Sequence, residues 1–274
     1  MKLQYCLSRT KDKQMPTRTR IDFAGYHHII NRGVNRCNVF NYHDDKEMFL
    51  QIINKTAIIH NVVLHDYCLM DNHYHLLIET KKENLSAFMR IVNANYAQYF
   101  NKKYKRSGHL WQDRYKSKYI TSDNYLYTLL KYIESNPVEA SLYDKIGLYP
   151  YTLTHCIFNN KEYYPCCLDS VLNKEFDIQT LNEFFGEPIS KKELDYFKTK
   201  EKQKIEKDNG TLKVKRIKNF EEHFYDNETK QDRNLAILNA YDDGYPQIEI
   251  ANYLNVSTSL ISKIIKSGYS TPGV

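Results

Sequence analysis

At 274 residues, with 42% hydrophobic and 14% aromatic content, the chain can bury one large core or two modest ones. Its 39 Lys and Arg against 33 Asp and Glu leave a net charge of +6, which permits a nucleic-acid partner without demanding one. No apolar run approaches the roughly 18 residues of a membrane span, and six cysteines without a C-x-x-C pair argue against a disulfide framework and for a reduced, cytoplasmic protein.

Residues 1–16 are basic and lack a long apolar centre, so a flexible arm is expected there rather than a secretory signal. The β-rich GYHHIINRG, ending at Gly33, predicts a first strand. In HDDKEMFLQIINKTAIIH, Met48, Phe49, Ile52 and Ile53 recur at helical spacing, and Asp44 or Asp45 is the expected N-cap. VVLHDYCLM and HYHLLIE predict a β-hairpin around a turn at Asp71 and Asn72. Leu85, Phe88, Val92, Tyr96 and Tyr99 then mark a long amphipathic helix. YKSKYIT predicts another strand, and SDNYLYTLLKYIESNP a helix capped by Ser122 and stopped by Pro137. The order β-α-β-β-α-β-α implies an α+β domain over residues 17–150, an antiparallel sheet with packed helices. Residues 151–218 read as a mixed helical extension and a lysine-rich linker, with Asp208-Asn209-Gly210 its clearest signal.

The last region, 219–274, is expected to be all-α. PQIEIANYLNVSTSLISKIIK reads as a helix-turn-helix, with Ile250, Ala251 and Leu254 inward from one helix and Val256, Ile261 and Ile264 from the next. Asn255 suits a tight turn and Ser257 caps the second helix. Ser257, Thr258, Ser259, Ser262 and Lys263 are then left exposed to enter a major groove.

DNHYHLLIET sets His73 and His75 on one side of a strand, since alternate residues share a face. Two imidazoles so placed can converge on a divalent ion, or can be ordinary polar-face histidines. On the helix after Ser122, Tyr125, Leu129, Tyr132 and Asn136 lie along one edge of the apolar stripe of Leu126, Leu130 and Ile133. Tyr132 and Asn136 are four apart and therefore neighbours. A tyrosine beside a metal can attack phosphorus, and an amide oxygen can be a third ligand; the bland alternative for Tyr132 is a half-buried core aromatic. Between these motifs, Lys102, Lys103, Lys105, Arg106, Arg114, Lys116 and Lys118 are interleaved with Tyr104, His109, Trp111 and Tyr115, a pattern that suits a single strand or a solvated loop.

MDNHYHLLIE resembles the histidine-hydrophobic-histidine strand of the HUH endonucleases. GHLWQDRYKS followed by YIESNPV, together with RIDFAGYHHIINRGVNRCNVF and NLSAFMRIVNANYAQYFNKKY, is similar to the REP-associated branch of the single-tyrosine transposases over residues 17–155. The resemblance implies a ferredoxin-like HUH domain in which His73, His75 and Asn136 hold Mg²⁺ or Mn²⁺ and Tyr132 is the nucleophile. It implies cleavage and strand transfer on single-stranded or hairpin DNA through a 5′-phosphotyrosine, with duplex contact by the C-terminal region and no membrane partner. The family contains dimers and monomers, so no oligomeric state follows. Asp71 stands where proline is frequent, which would add a carboxylate near the metal, and Tyr74 where an aliphatic is usual. The rival reading is a DNA-binding regulator whose helix-turn-helix carries the function on a non-catalytic scaffold; a weaker rival is a metal-dependent nuclease that uses water.

Overall fold

The hairpin expected around Asp71 and Asn72 forms the middle of the sheet. In the computed structural model, which describes residues 22–187, 189–190, 203–208, 211–225 and 229–270, strand β2 (Val62–Met70) pairs antiparallel with β3 (His73–Thr80). β3 pairs in turn with β1 (Gly25–Arg32), and β1 with the short edge strand β4 (Lys116–Tyr119). The sheet order is therefore β2-β3-β1-β4, all antiparallel. With helices α1 (His43–His60), α2 (Leu85–Lys103) and α3 (Asp123–Glu139), the order β1-α1-β2-β3-α2-β4-α3 is the one read from the sequence, and the strand order is that of a ferredoxin-like sheet.

Alternation divides the sheet into two faces. Ile29, Tyr74, Leu76 and Ile78 are fully buried on one. There the Tyr74 ring lies 4.8 Å from Phe49 of α1 and its hydroxyl donates to Asn93 of α2 at 2.8 Å. The tyrosine that separates the two histidines is thus core, on the side away from them. The other face carries His28, Ile30 and Arg32 of β1 beside His73, His75 and Leu77 of β3, and α3 packs over its β2–β3 half.

The start of α1 differs from expectation. Its N-cap is Tyr42, and Asp45 occupies the third helical position, where its buried carboxylate accepts from the backbone N–H groups of Asn41 and Tyr42. An acid one turn inside the helix caps it as well as one at the boundary. α3 differs at its other end: it is capped by Ser122 as read, but runs through Pro137 to Glu139. Proline lacks the N–H that would serve the carbonyl of Ile133, four residues back. The Asn136 amide supplies that hydrogen, donating from Nδ2 to the carbonyls of Ile133 at 3.1 Å and Tyr132 at 2.7 Å.

α3 is also anchored from below. Glu134 is buried and accepts from the backbone N–H of Thr154 at 3.0 Å and from its hydroxyl. Burial, then the charge of Glu134, raises the carboxyl of Asp66 on β2 well above the carboxylate range. Thr154 belongs to α4 (Leu153–Phe158). With α5 (Val171–Glu175) and α6 (Ile178–Gly186), this stretch adds Leu153, Cys166, Cys167, Val171, Leu172, Leu181 and Phe185 to the same core. The boundary placed near residue 150 therefore lies inside a compact unit that extends over Arg20–Lys200.

A second compact unit lies within Glu201–Val274. The lysine-rich run read as a linker contains two paired strands, β5 (Gln203–Asp208) and β6 (Thr211–Arg216). Asn-Gly between segments carrying Ile205, Leu212 and Val214 is a hairpin signal, which the many lysines masked. Helices α7 (Phe220–Phe224), α8 (Lys230–Asp242), α9 (Gln247–Tyr253) and α10 (Thr258–Ser270) follow. Ile237, Ala240, Ile250, Ala251, Ile261, Ile264 and Ile265 form the core of α8, α9 and α10. Asn255 takes the left-handed conformation between the last two, and the Ser257 hydroxyl accepts from the N–H of Leu260 at 3.3 Å. The expected arm at 1–16 lies outside the described residues. Among those described, no helix is long and apolar enough to cross a membrane, and Cys37, Cys68, Cys156, Cys166 and Cys167 are free thiols.

Candidate active site

β3 and α3 bring together the two halves of the motif read from the sequence. The rings of His73 and His75 are 5.2 Å apart. Tyr132 presents its ring edge-on to His75 at 5.6 Å, and Asn136 lies one turn further along α3. A third imidazole joins them: His28 of β1 is 1% exposed, stacks on His75 at 5.3 Å, and lies 6.0 Å from Tyr132.

The hydrogen bonds define how each donor faces the site. Nδ1 of His73 is 2.6 Å from Oδ1 of Asn72, whose own Nδ2 donates to the Arg36 carbonyl at 3.3 Å. That orients Asn72 as an acceptor, so His73 Nδ1 carries the proton and Nε2 keeps its lone pair. Nδ1 of His75 is 3.0 Å from Nε2 of His28. At Asn136 both amide hydrogens are directed at helix carbonyls, which leaves Oδ1 as the group free to accept.

Burial keeps these rings uncharged. It lowers His28 to about 3, aided by the charge of Lys118, and His73 to about 4, aided by Arg32. His75 is pushed well below the ordinary imidazole range by burial, then by His28 and His73. Neutral imidazoles with one nitrogen committed to a hydrogen bond are the form that ligates divalent ions. Among the described residues, no three or more His, Cys, Asp or Glu side chains are grouped to hold a metal. The groups on this face that could serve as donors are the imidazoles of His73 and His75 and the Asn136 amide oxygen. Asp71 is not among them, because its carboxylate is 2.8 Å from Nζ of Lys46.

Positive charge borders this face. Arg32 is exposed and sits opposite His73 in the β1–β3 register. Lys116 and Lys118 of β4 sit opposite Ile30 and His28, on the side of the histidines. The remaining cations of 102–118 divide. Lys102, Lys105 and Arg114 are exposed. Lys103 is committed to the buried Asp45 at 2.7 Å, and Arg106 lies over the Phe100 ring at 5.7 Å. The interleaved rings are less available than the pattern suggested. Tyr115 is buried, Tyr104 donates to Asp45 at 2.6 Å, and Trp111 packs among Tyr74 and Tyr96 with its indole N–H on the Asn93 carbonyl. Only His109 of the four is exposed. In the C-terminal unit Ser257, Thr258, Ser259 and Lys263 are exposed, and Ser262 is half-buried.

His28 and Arg32 escaped the sequence reading. Both alternate along β1 with Ile30, a signal that carries meaning only once the β1–β3 register places them beside His75 and His73.

Residues 23–136 match the family model described as transposase IS200-like. This stretch, similar to that family, runs from Phe23, two residues before β1, to Asn136 of α3. No curated protein matches the chain. Among solved structures, a REP-associated tyrosine transposase bound to a REP hairpin is 16% identical, with a TM-score of 0.44 over 64% of this chain and 98% of its own. A candidate transposase from Deinococcus radiodurans R1 is 18% identical, with a TM-score of 0.32 over 44% of this chain and 96% of its own.

Proposed function

We propose that the protein is an HUH-type, REP-associated-like tyrosine transposase that cuts and rejoins single-stranded or hairpin DNA. The observation that carries this reading is the approach of Tyr132 to within 5.6 Å of His75, ring to ring, inside the segment that matches the transposase family. The Tyr132 hydroxyl attacks a DNA phosphorus. The new bond joins its oxygen to phosphorus, the bond to the 3′-oxygen breaks, and the phenolic proton ends on the released 3′-hydroxyl through solvent. A 5′-phosphotyrosine remains. A second 3′-hydroxyl attacking that phosphorus expels Tyr132 and reseals the strand, so the phosphodiester energy is conserved and no nucleotide cofactor is consumed.

His73, His75 and Asn136 would hold Mg²⁺ or Mn²⁺. Such an ion, when bound, polarises the phosphate and orients it for in-line attack. Arg32, Lys116 and Lys118 supply fixed positive charge beside the reacting phosphate, and the packing of α3 on the sheet fixes the direction of approach of Tyr132. In the C-terminal unit, α9 and α10 act as a helix-turn-helix. Ser257, Thr258, Ser259 and Lys263 are its contacts to duplex DNA.

Incubation with labelled single-stranded oligonucleotide and Mn²⁺, followed by denaturing electrophoresis, tests the chemistry. Wild type should give a covalent protein–DNA adduct. Tyr132→Phe, which loses one oxygen, should keep the fold and DNA binding and give none. An adduct at wild-type level in that variant rules Tyr132 out.

A further inference from the structure

His28 is in direct contact with His75 but belongs to none of the donor sets above. Its Nε2 is 3.0 Å from His75 Nδ1, its ring is stacked on that imidazole at 22°, and it is almost fully buried. Two neutral rings in such contact share one hydrogen, which has two possible positions. If His28 donates, His75 must carry its own proton on Nε2 and offers no lone pair to the site. If His75 donates from Nδ1, its Nε2 is unprotonated, as Nε2 of His73 already is through Asn72. A cation at His75 selects the second arrangement, and His28 then carries its proton on Nδ1. That nitrogen is buried without a hydrogen-bond partner, so a change of tautomer there disturbs no other bond.

We infer that His28 is the positioning residue of the metal site, the acceptor that fixes the tautomer of His75 and turns its Nε2 toward the ion. The inference rests on the reading of His73 and His75 as ligands. The role needs a neutral acceptor. A carboxylate is a frequent partner of a ligating imidazole, but here it would cancel part of the positive charge that must meet an anionic phosphodiester. An imidazole orients the ligand without that loss. Its second contact, edge-on to Tyr132 at 6.0 Å, places the same ring against the proposed nucleophile.

The test is Mn²⁺ affinity of the full-length protein without DNA, read from the electron paramagnetic resonance signal of the free ion. His28→Phe keeps a ring against His75 and Tyr132 but removes the acceptor, and should weaken binding by about 10- to 100-fold, the usual range for a lost outer partner. His28→Gln restores an acceptor near the former Nε2 and should bind within a few-fold of wild type. Should the Phe variant fail to fold, His28→Leu makes the same comparison. Two outcomes overturn the inference: an acceptor-free variant that binds Mn²⁺ like wild type, or Gln and acceptor-free variants that are equally impaired. His75→Ala separates the two levels. If it loses Mn²⁺ while the acceptor-free variant does not, only the role of His28 falls. If neither loses it, the ligand assignment falls as well.

Discussion

His73 and His75 are equivalent in the sequence motif and unequal in the structure. His73 stands half-buried at the hairpin turn with its Nδ1 on Asn72, whereas His75 is 3% exposed between His28 and Tyr132. Their alanine variants should therefore fail in different ways. His73→Ala should lower Mn²⁺-dependent cleavage sharply with the melting temperature almost unchanged. His75→Ala should lower cleavage and also stability by about 1–3 kcal/mol, because a buried His28 nitrogen is left without its partner. Excess Mn²⁺ should rescue each only in part, since a ligand is missing. Cleavage under limiting Mn²⁺ together with thermal unfolding separates the two effects. Normal cleavage by either variant in limiting metal would remove that histidine from the ligand set.

At the level of the element, α3 shows how one residue serves both the helix and the site. Asn136 spends its amide hydrogens on the carbonyls of Tyr132 and of Ile133, the one that Pro137 cannot serve, and its oxygen is left to accept. The coupling is measurable. Asn136→Ala should cost about 1 kcal/mol in the native background. In a Pro137→Ala background, where residue 137 again has an N–H for Ile133, it should cost clearly less. A double-mutant cycle by denaturant unfolding gives the difference directly; equal costs in both backgrounds would mean that Asn136 does not compensate for the proline. The same pair explains one limit of sequence reading. Proline is a sound stop signal unless a neighbouring side chain replaces the missing donor, and that replacement is a contact, not a pattern. The strands and α2 were legible because one face of each is apolar at a fixed period. The spacings of His73 and His75 and of Tyr132 and Asn136 were legible because each is local, whereas the meeting of β3 with α3 was expected only from the resemblance. The buried pair of Asp66 and Glu134 was not legible: two acids far apart in sequence read as solvated until the fold sets them together. His28 was hidden for the same reason, since strand register is a long-range property.

For the whole molecule, the two compact units divide the proposed work. His28, His73, His75, Tyr132 and Asn136 all lie within Arg20–Lys200, which has its own core, and the second core belongs to α8, α9 and α10. The exposed start of α10 suits a duplex groove, whereas attack by Tyr132 needs an unpaired strand. A chain ending at Lys200 should therefore cleave a saturating single-stranded oligonucleotide at close to the full-length rate. It should bind duplex more weakly, and with a flatter dependence on salt, because each phosphate contact contributes a slope of roughly −0.9 on duplex and about −0.7 on a single strand. In the full-length chain, Lys263→Ala should lower the duplex slope by about one such contact and leave cleavage unchanged. Titrations of both chains with duplex and single strand across a range of salt concentrations, beside the adduct assay, measure all of these. A DNA-binding regulator on an inert scaffold would show the same duplex behaviour and give no adduct from either chain. A folded chain ending at Lys200 that loses cleavage while keeping duplex affinity would place the C-terminal unit in the active site and reverse the division of labour.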